Sequence, residues 1–132
     1  MNTAPLVARL RERLPHLLAI HLFGSHATGG VHPESDLDLA VLVAGKVDPL
    51  FLWDLALELE PLAGCAVDLI DLRAASTVLQ HQVITTGRPL WTGDALQSDL
   101  FACFVLSDKL DLDLARAPLL AQIAREGRIH GR

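Results

Sequence analysis

Between Leu37 and Val43 the chain reads Leu-Asp-Leu-Ala-Val-Leu-Val, the pattern of a strand buried within a sheet, broken by one acidic side chain. Such a strand needs cover, and the segments around it offer helices and further strands. Leu6, Val7, Leu10 and Leu14 recur at helical spacing over Pro5 to about Leu14, with Thr3 available as N-cap and Pro5 tolerated in the first turn. Leu18 to Phe23 reads as a short apolar strand, ended by Gly24-Ser25 and a polar loop holding Gly29, Gly30 and Pro33. Asp48 as N-cap and Pro49 at the first helical position open a helix to about Glu60, stopped near Pro61 and Gly64. Apolar residues on nearly every side of that helix imply deep burial.

Ala66 to Leu72 is a further apolar strand that again carries acids, and a helix from about Ser76 to Thr86 has Gly87 placed as its stop. Arg88 to Trp91 adds a strand before Gly93, residues from about Leu96 to Leu114 read as helical, and Pro118 begins a short helix that Gly127 ends. This order predicts an α/β (α+β) fold, a small mixed sheet flanked by helices. With 132 residues a single domain over 1–132 is expected, its helical part from about residue 95 packing on the core or on a partner.

A chain that is 51% apolar and 20% charged buries enough surface to fold. It contains no apolar run of the roughly 18 to 20 residues that cross a bilayer and no signal-peptide pattern at its start, so a cytoplasmic protein with no membrane partner is expected. Cys65 and Cys103 lie far apart in apolar surroundings and read as buried reduced thiols. A formal charge of −5 disfavours a nucleic-acid partner, whose phosphates draw on Lys and Arg. A nucleotide remains compatible, because a metal ion can bridge acidic side chains and phosphates.

The acids inside apolar strands need a reason. Side chains alternate faces along a strand, so Asp36 and Asp38 project to one side and Leu37 and Leu39 to the other. Unpaired neighbouring carboxylates repel and resist ionisation, whereas a divalent cation reverses that cost. Mg²⁺ suits the donors, being hard and given to sharing its shell with phosphates. A solvated strand beginning would explain Asp36 and Asp38 alone, but Asp68 sits in a second apolar strand where a bland sequence would place another Val or Ile. Gly24 lets the backbone approach a ligand, and the N–H groups after it, with the Ser25 hydroxyl, can hold phosphate without a positive side chain.

Gly24-Ser25, ten residues, then Asp36-Leu37-Asp38 resembles the signature of the DNA polymerase β nucleotidyltransferase superfamily, and the short chain looks like its minimal members. Phe23 to Gly29, Ser35 to Leu39, Val67 to Arg73 and Gly87 to Trp91 are most similar to MntA-type antitoxins, partners of HEPN toxins. The resemblance implies a nucleotidyltransferase fold using two Mg²⁺ ions, with Asp36 and Asp38 as ligands. Asp68 would bind the second ion and position the incoming hydroxyl, while Gly24 and Ser25 hold the phosphates of ATP. Two ions stabilise both the attacking and the leaving oxygen of an in-line displacement. The resemblance further implies that AMP passes to a tyrosine hydroxyl of the cognate HEPN ribonuclease, silencing it, and that the two proteins associate. The chain departs from many members in carrying Thr28 where they have a basic residue.

Other polar residues have plainer readings. Asp71 reads as a strand-end acid near Arg73, and Arg73 and Arg88 as members of surface ion pairs. Histidines at 16, 21, 26, 32, 81 and 130 lack zinc-site spacing, with His26 and His32 read as solvated loop residues. Leu100, Phe101, Phe104, Val105, Leu106 and Leu110 give the late helix a broad apolar face for the core or for a partner. Two rival functions stay open: an antitoxin acting by occlusion without catalysis, and nucleotidyl transfer to a small molecule such as an aminoglycoside.

Overall fold

A computed structural model describes residues 2–29, 36–108 and 110. The elements run α1 (Ala4–Arg13), β1 (Leu17–Phe23), α2 (Ser25–Thr28), β2 (Leu37–Val43), α3 (Pro49–Ala63), β3 (Val67–Asp71), a 3₁₀ turn (Leu72–Ala74), α4 (Thr77–Thr86) and β4 (Arg88–Thr92). Residues 95–108 are helical and form α5. The expected continuation of that helix to Leu114, the short helix from Pro118 to Gly127, and Gly30, His32, Pro33 and Ser35 of the loop lie outside the described residues. Among those described, no helix is long and apolar enough to cross a membrane.

Four strands form one mixed sheet in the order β3-β2-β1-β4, as the expected fold class requires. β1 runs antiparallel to both β2 and β4, while β2 and β3, joined through α3, run parallel. Both faces of the sheet are covered, which is why β2 is an almost unbroken apolar run. Leu37, Leu39 and Val41 point to one face, where Leu6 and Leu10 of α1 and Leu52, Leu55 and Leu59 of α3 close the larger core. Ala40 and Leu42 point to the other, where Val83 of α4 and Phe101 and Val105 of α5 pack. Arg9 and Arg13 of α1 both pair with Glu58 of α3, clipping the two helices of the larger layer together.

Several expectations about helix ends and burial are corrected. Thr3 has helical backbone and no capping bond; the side chain of Asn2 instead accepts the Ala4 N–H at 3.1 Å. α3 continues through Pro61 to Ala63 and stops at Gly64, whose φ of +76° favours glycine. Pro61 is tolerated because only its bond to the carbonyl of Leu57 is lost, on a solvent-facing side of the final turn. The deep burial expected of α3 is also wrong: Leu50, Trp53 and Leu57 are exposed. Their spacing of three and four residues collects them in one stripe opposite the buried Leu52, Leu55 and Leu59.

α4 does end at Gly87, yet by extended backbone rather than a left-handed turn. A side chain there would press on the carbonyls of Val83 and Leu22, so close packing against β1 explains the glycine. The cysteines are free, but Cys65 is only half-buried and Cys103 exposed, because Cys103 falls on the outer side of α5. On the same helix Leu100, Phe104 and Leu106 are exposed while Phe101 and Val105 are buried, and Leu110 beyond it is exposed too, so the broad apolar face divides between core and solvent.

Candidate active site

The strand register brings the acids together. Asp38 of β2 stands opposite Phe23 of β1 and beside Asp68 of the parallel strand β3. Register partners share a face, so Asp38 and Asp68 project side by side at one end of the sheet. Asp36 lies two residues before Asp38 and is exposed, Asp38 is half-buried, and Asp68 is exposed on the edge strand. The apolar run of β2 thus carries its one acid near its start, at the one position of the strand that is not buried.

Gly24 follows Phe23 directly and is placed by the same register. Its φ is +73°, and a Cβ on it would stand 2.2 Å from Oδ2 of Asp38. Any other residue would strain the turn and push the carboxylate away. Ser25 then opens α2, whose turn closes through the N–H groups of Ala27 and Thr28 on the Gly24 carbonyl. The Thr28 hydroxyl donates to that same carbonyl at 3.2 Å. Gly24, Ser25, Asp36, Asp38 and Asp68 therefore occupy one end of the sheet, contributed by three neighbouring strands.

Electrostatics marks Asp38 as the centre of the group. Partial burial raises its carboxyl above the ordinary 3.8, the negative charges of Asp68 and Asp36 raise it further, and His26 pulls it down. Among the described residues no three acidic, histidine or cysteine side chains close tightly enough to hold a metal by themselves. The donor chemistry fits a hard divalent cation that completes its shell with water and phosphate oxygens, the usual situation of Mg²⁺ beside a nucleotide. Gly24 supports that fit by letting the Asp38 carboxylate lie directly against the turn that carries Ser25, where any side chain would displace it.

The other polar residues fall outside this group. Asp71 is buried, where its carboxylate accepts the N–H of Arg73 at 3.1 Å and of Val47 at 3.2 Å. Arg73 makes no surface ion pair among the described residues; it donates to the Val43 carbonyl at 3.2 Å and lies over the Phe101 ring. His26 is a correction of another kind: read as a loop residue, it belongs to α2 and acts on Asp38. Its place directly after Gly24-Ser25 was the available signal.

Residues 7–95 match the family described as polymerase beta, nucleotidyltransferase. The chain is 39% identical to the protein adenylyltransferase MntA of Shewanella oneidensis, over 93% of this chain and 88% of that protein. A chain in the crystal structure of a toxin–antitoxin with AMP-PNP superposes with a TM-score of 0.84 at 39% identity, covering 94% of this chain and 99% of that one. A structure of tri-AMPylated Shewanella oneidensis HEPN toxin in complex with MNT antitoxin contains a chain matching at TM-score 0.75 and 37% identity, over 91% of this chain and 93% of its own. With Asp38 beside Asp68 behind a Gly24-Ser25 turn, and with that match spanning most of its length, the chain belongs to the polymerase β nucleotidyltransferase family.

Proposed function

We propose that the protein is a Mg²⁺-dependent adenylyltransferase antitoxin that moves AMP from ATP to a tyrosine hydroxyl of a HEPN-family toxin, neutralising it in the cytoplasm. The observation that carries this reading is the side-by-side placement of Asp38 and Asp68 against Gly24, in a chain 39% identical to a protein adenylyltransferase. In the transfer, the acceptor hydroxyl releases its proton to solvent as its oxygen bonds to the α-phosphorus, the bond from that phosphorus to the bridging oxygen breaks, and pyrophosphate leaves. Asp36, Asp38 and Asp68 would hold two Mg²⁺ ions, which when bound offset charge on the attacking and leaving oxygens.

The remaining roles belong to this chain's own atoms. Gly24 admits the triphosphate beside Asp38, and the Ser25 N–H and hydroxyl donate to its oxygens. Asp68, on the side of Asp38 away from Gly24, orients the incoming hydroxyl. Thr28 commits its proton to the Gly24 carbonyl, so it does not substitute for the basic residue common at that position.

The test is transfer of label from ATP marked on the α-phosphate to the co-encoded toxin, with D36A/D38A alongside. Label on the toxin with wild type alone is expected. Neutralisation by both proteins without label on either would establish occlusion instead, and label on an aminoglycoside but not on the toxin would establish a small-molecule acceptor.

A further inference from the structure

Among the described residues the sheet ends at β3, and the free side of that strand is a groove. A cavity of about 390 Å³ is lined by every residue of β3 from Val67 to Asp71, together with Trp53 and Ala56 of α3 and Ala75 and Leu79 beyond the strand. A cavity on one face of a strand would meet alternate residues; one that meets five in succession runs along the edge. The ladder shows which backbone groups face it. Leu37 donates to the Ala66 carbonyl, and Leu37 pairs with Val67 in a parallel register. In such a ladder Ala66, Asp68 and Ile70 bond towards β2, and the N–H and C=O groups of Val67 and Leu69 point outward. Among the described residues no other segment bonds to them.

We propose that the acceptor segment of the partner protein docks here as an added strand, extended along β3 with apolar side chains between Trp53 and Ala75, and so delivers its hydroxyl to Asp68. The proposal rests on the adenylyltransferase reading given above. Three observations select this occupant. Asp68 lines the groove itself, so whatever fills it reaches the acceptor side of the catalytic group. The strand order puts Gly24 and Ser25 at the β1 side of Asp38 and the groove at the β3 side, and in-line displacement needs the acceptor opposite the departing pyrophosphate. Unpaired N–H and C=O groups between apolar walls match a polypeptide backbone, the mode of strand addition to a sheet edge. A nucleic-acid acceptor would find no cation among the lining residues.

The experiment combines kinetics with amide hydrogen exchange on the whole chain and its intact HEPN partner. A75W fills the groove and W53A removes a wall. In both, KM for the partner is expected to rise at least tenfold while kcat changes less than twofold, with the rise in melting temperature on adding Mg²⁺ and ATP confirming the fold. The Val67 and Leu69 amides of the wild-type protein are expected to exchange at least tenfold more slowly with the partner than without it. Normal transfer with unchanged KM and unprotected amides would overturn the docking proposal while leaving the enzymatic reading intact. Absence of label transfer by wild type would overturn the enzymatic reading, and the proposal with it. Protection in the isolated protein, or protection that grows with its own concentration, would assign the groove to the chain itself or to a second copy and overturn the proposal likewise.

Discussion

Asp38 concentrates the conflict between folding and function in one side chain. Its carboxyl is raised by burial and by its acidic neighbours, so between 3.8 and its higher folded value the native state holds a proton that the unfolded chain has lost. Stability contributed by this group therefore falls as pH rises through that window and stays lower above it. Asn carries no such charge. D38N is expected to melt higher than wild type at pH 7 in the absence of metal, the gap closing towards pH 3, while label transfer is abolished; a lower melting temperature for D38N at pH 7 would contradict this account. His21 shows the opposite sign. It is buried in β1 with Nε2 lacking a hydrogen-bond partner among the described residues, and burial lowers its imidazole below 6.5. As pH falls from 6.5 to that lower value the unfolded chain takes up a proton first, so stability falls. H21L is expected to add about 1 kcal/mol at neutral pH by removing an unpartnered buried polar atom. In urea titrations at pH 7 and pH 5.5, its advantage should be larger at the lower pH.

At the scale of elements, periodicity and some end signals were legible, Thr3 and Pro61 excepted, and the faces were not. Asp48 caps α3 through the N–H of Leu50, and Ser76 caps α4 through that of Leu79, as side-chain chemistry predicts. α3 is apolar almost all round, yet only one stripe is buried, because composition records how apolar a helix is and the sheet decides which side it covers. The exposed Leu50, Trp53 and Leu57 should accordingly differ in kind from the buried residues between them. L55A is expected to cost about 2–5 kcal/mol in a denaturant titration, since Leu55 is 1% exposed. L57A, at 51% exposure, should cost under about 1 kcal/mol, as surface substitutions usually do. Equal costs would mean that the stripe is covered in the isolated protein. The bounds of α2 were not legible for a physical reason as well, since four residues are too few to show a helical period.

At the scale of the whole molecule, a cluster of carboxylates that repel one another gains most from a bound cation and nucleotide. A ligand that binds only the folded protein stabilises it by about 2.7 kcal/mol at a hundredfold excess over its Kd. Thermal unfolding is therefore expected to shift upward with Mg²⁺ and ATP together, to shift far less with ATP and EDTA, and not at all in D36A/D38A. An unchanged melting temperature in all three would count against the metal site.

The sequence by itself determined the fold class and the succession of strands and longer helices from Pro5 to Trp91, and it singled out the residues proposed for the site, because acids within apolar strands and a glycine at a strand end are local departures from pattern. Spacing alone also placed Asp36 and Asp38 on one face. Tertiary structure alone decided that Asp68 stands beside Asp38, that Gly24 packs against the Asp38 carboxylate, and that β3 lies at the sheet's edge with an open groove. These are relations between residues far apart in the chain, set by register and strand order. Strand period is the same whichever neighbour a strand pairs with, so no count along the sequence could have specified them.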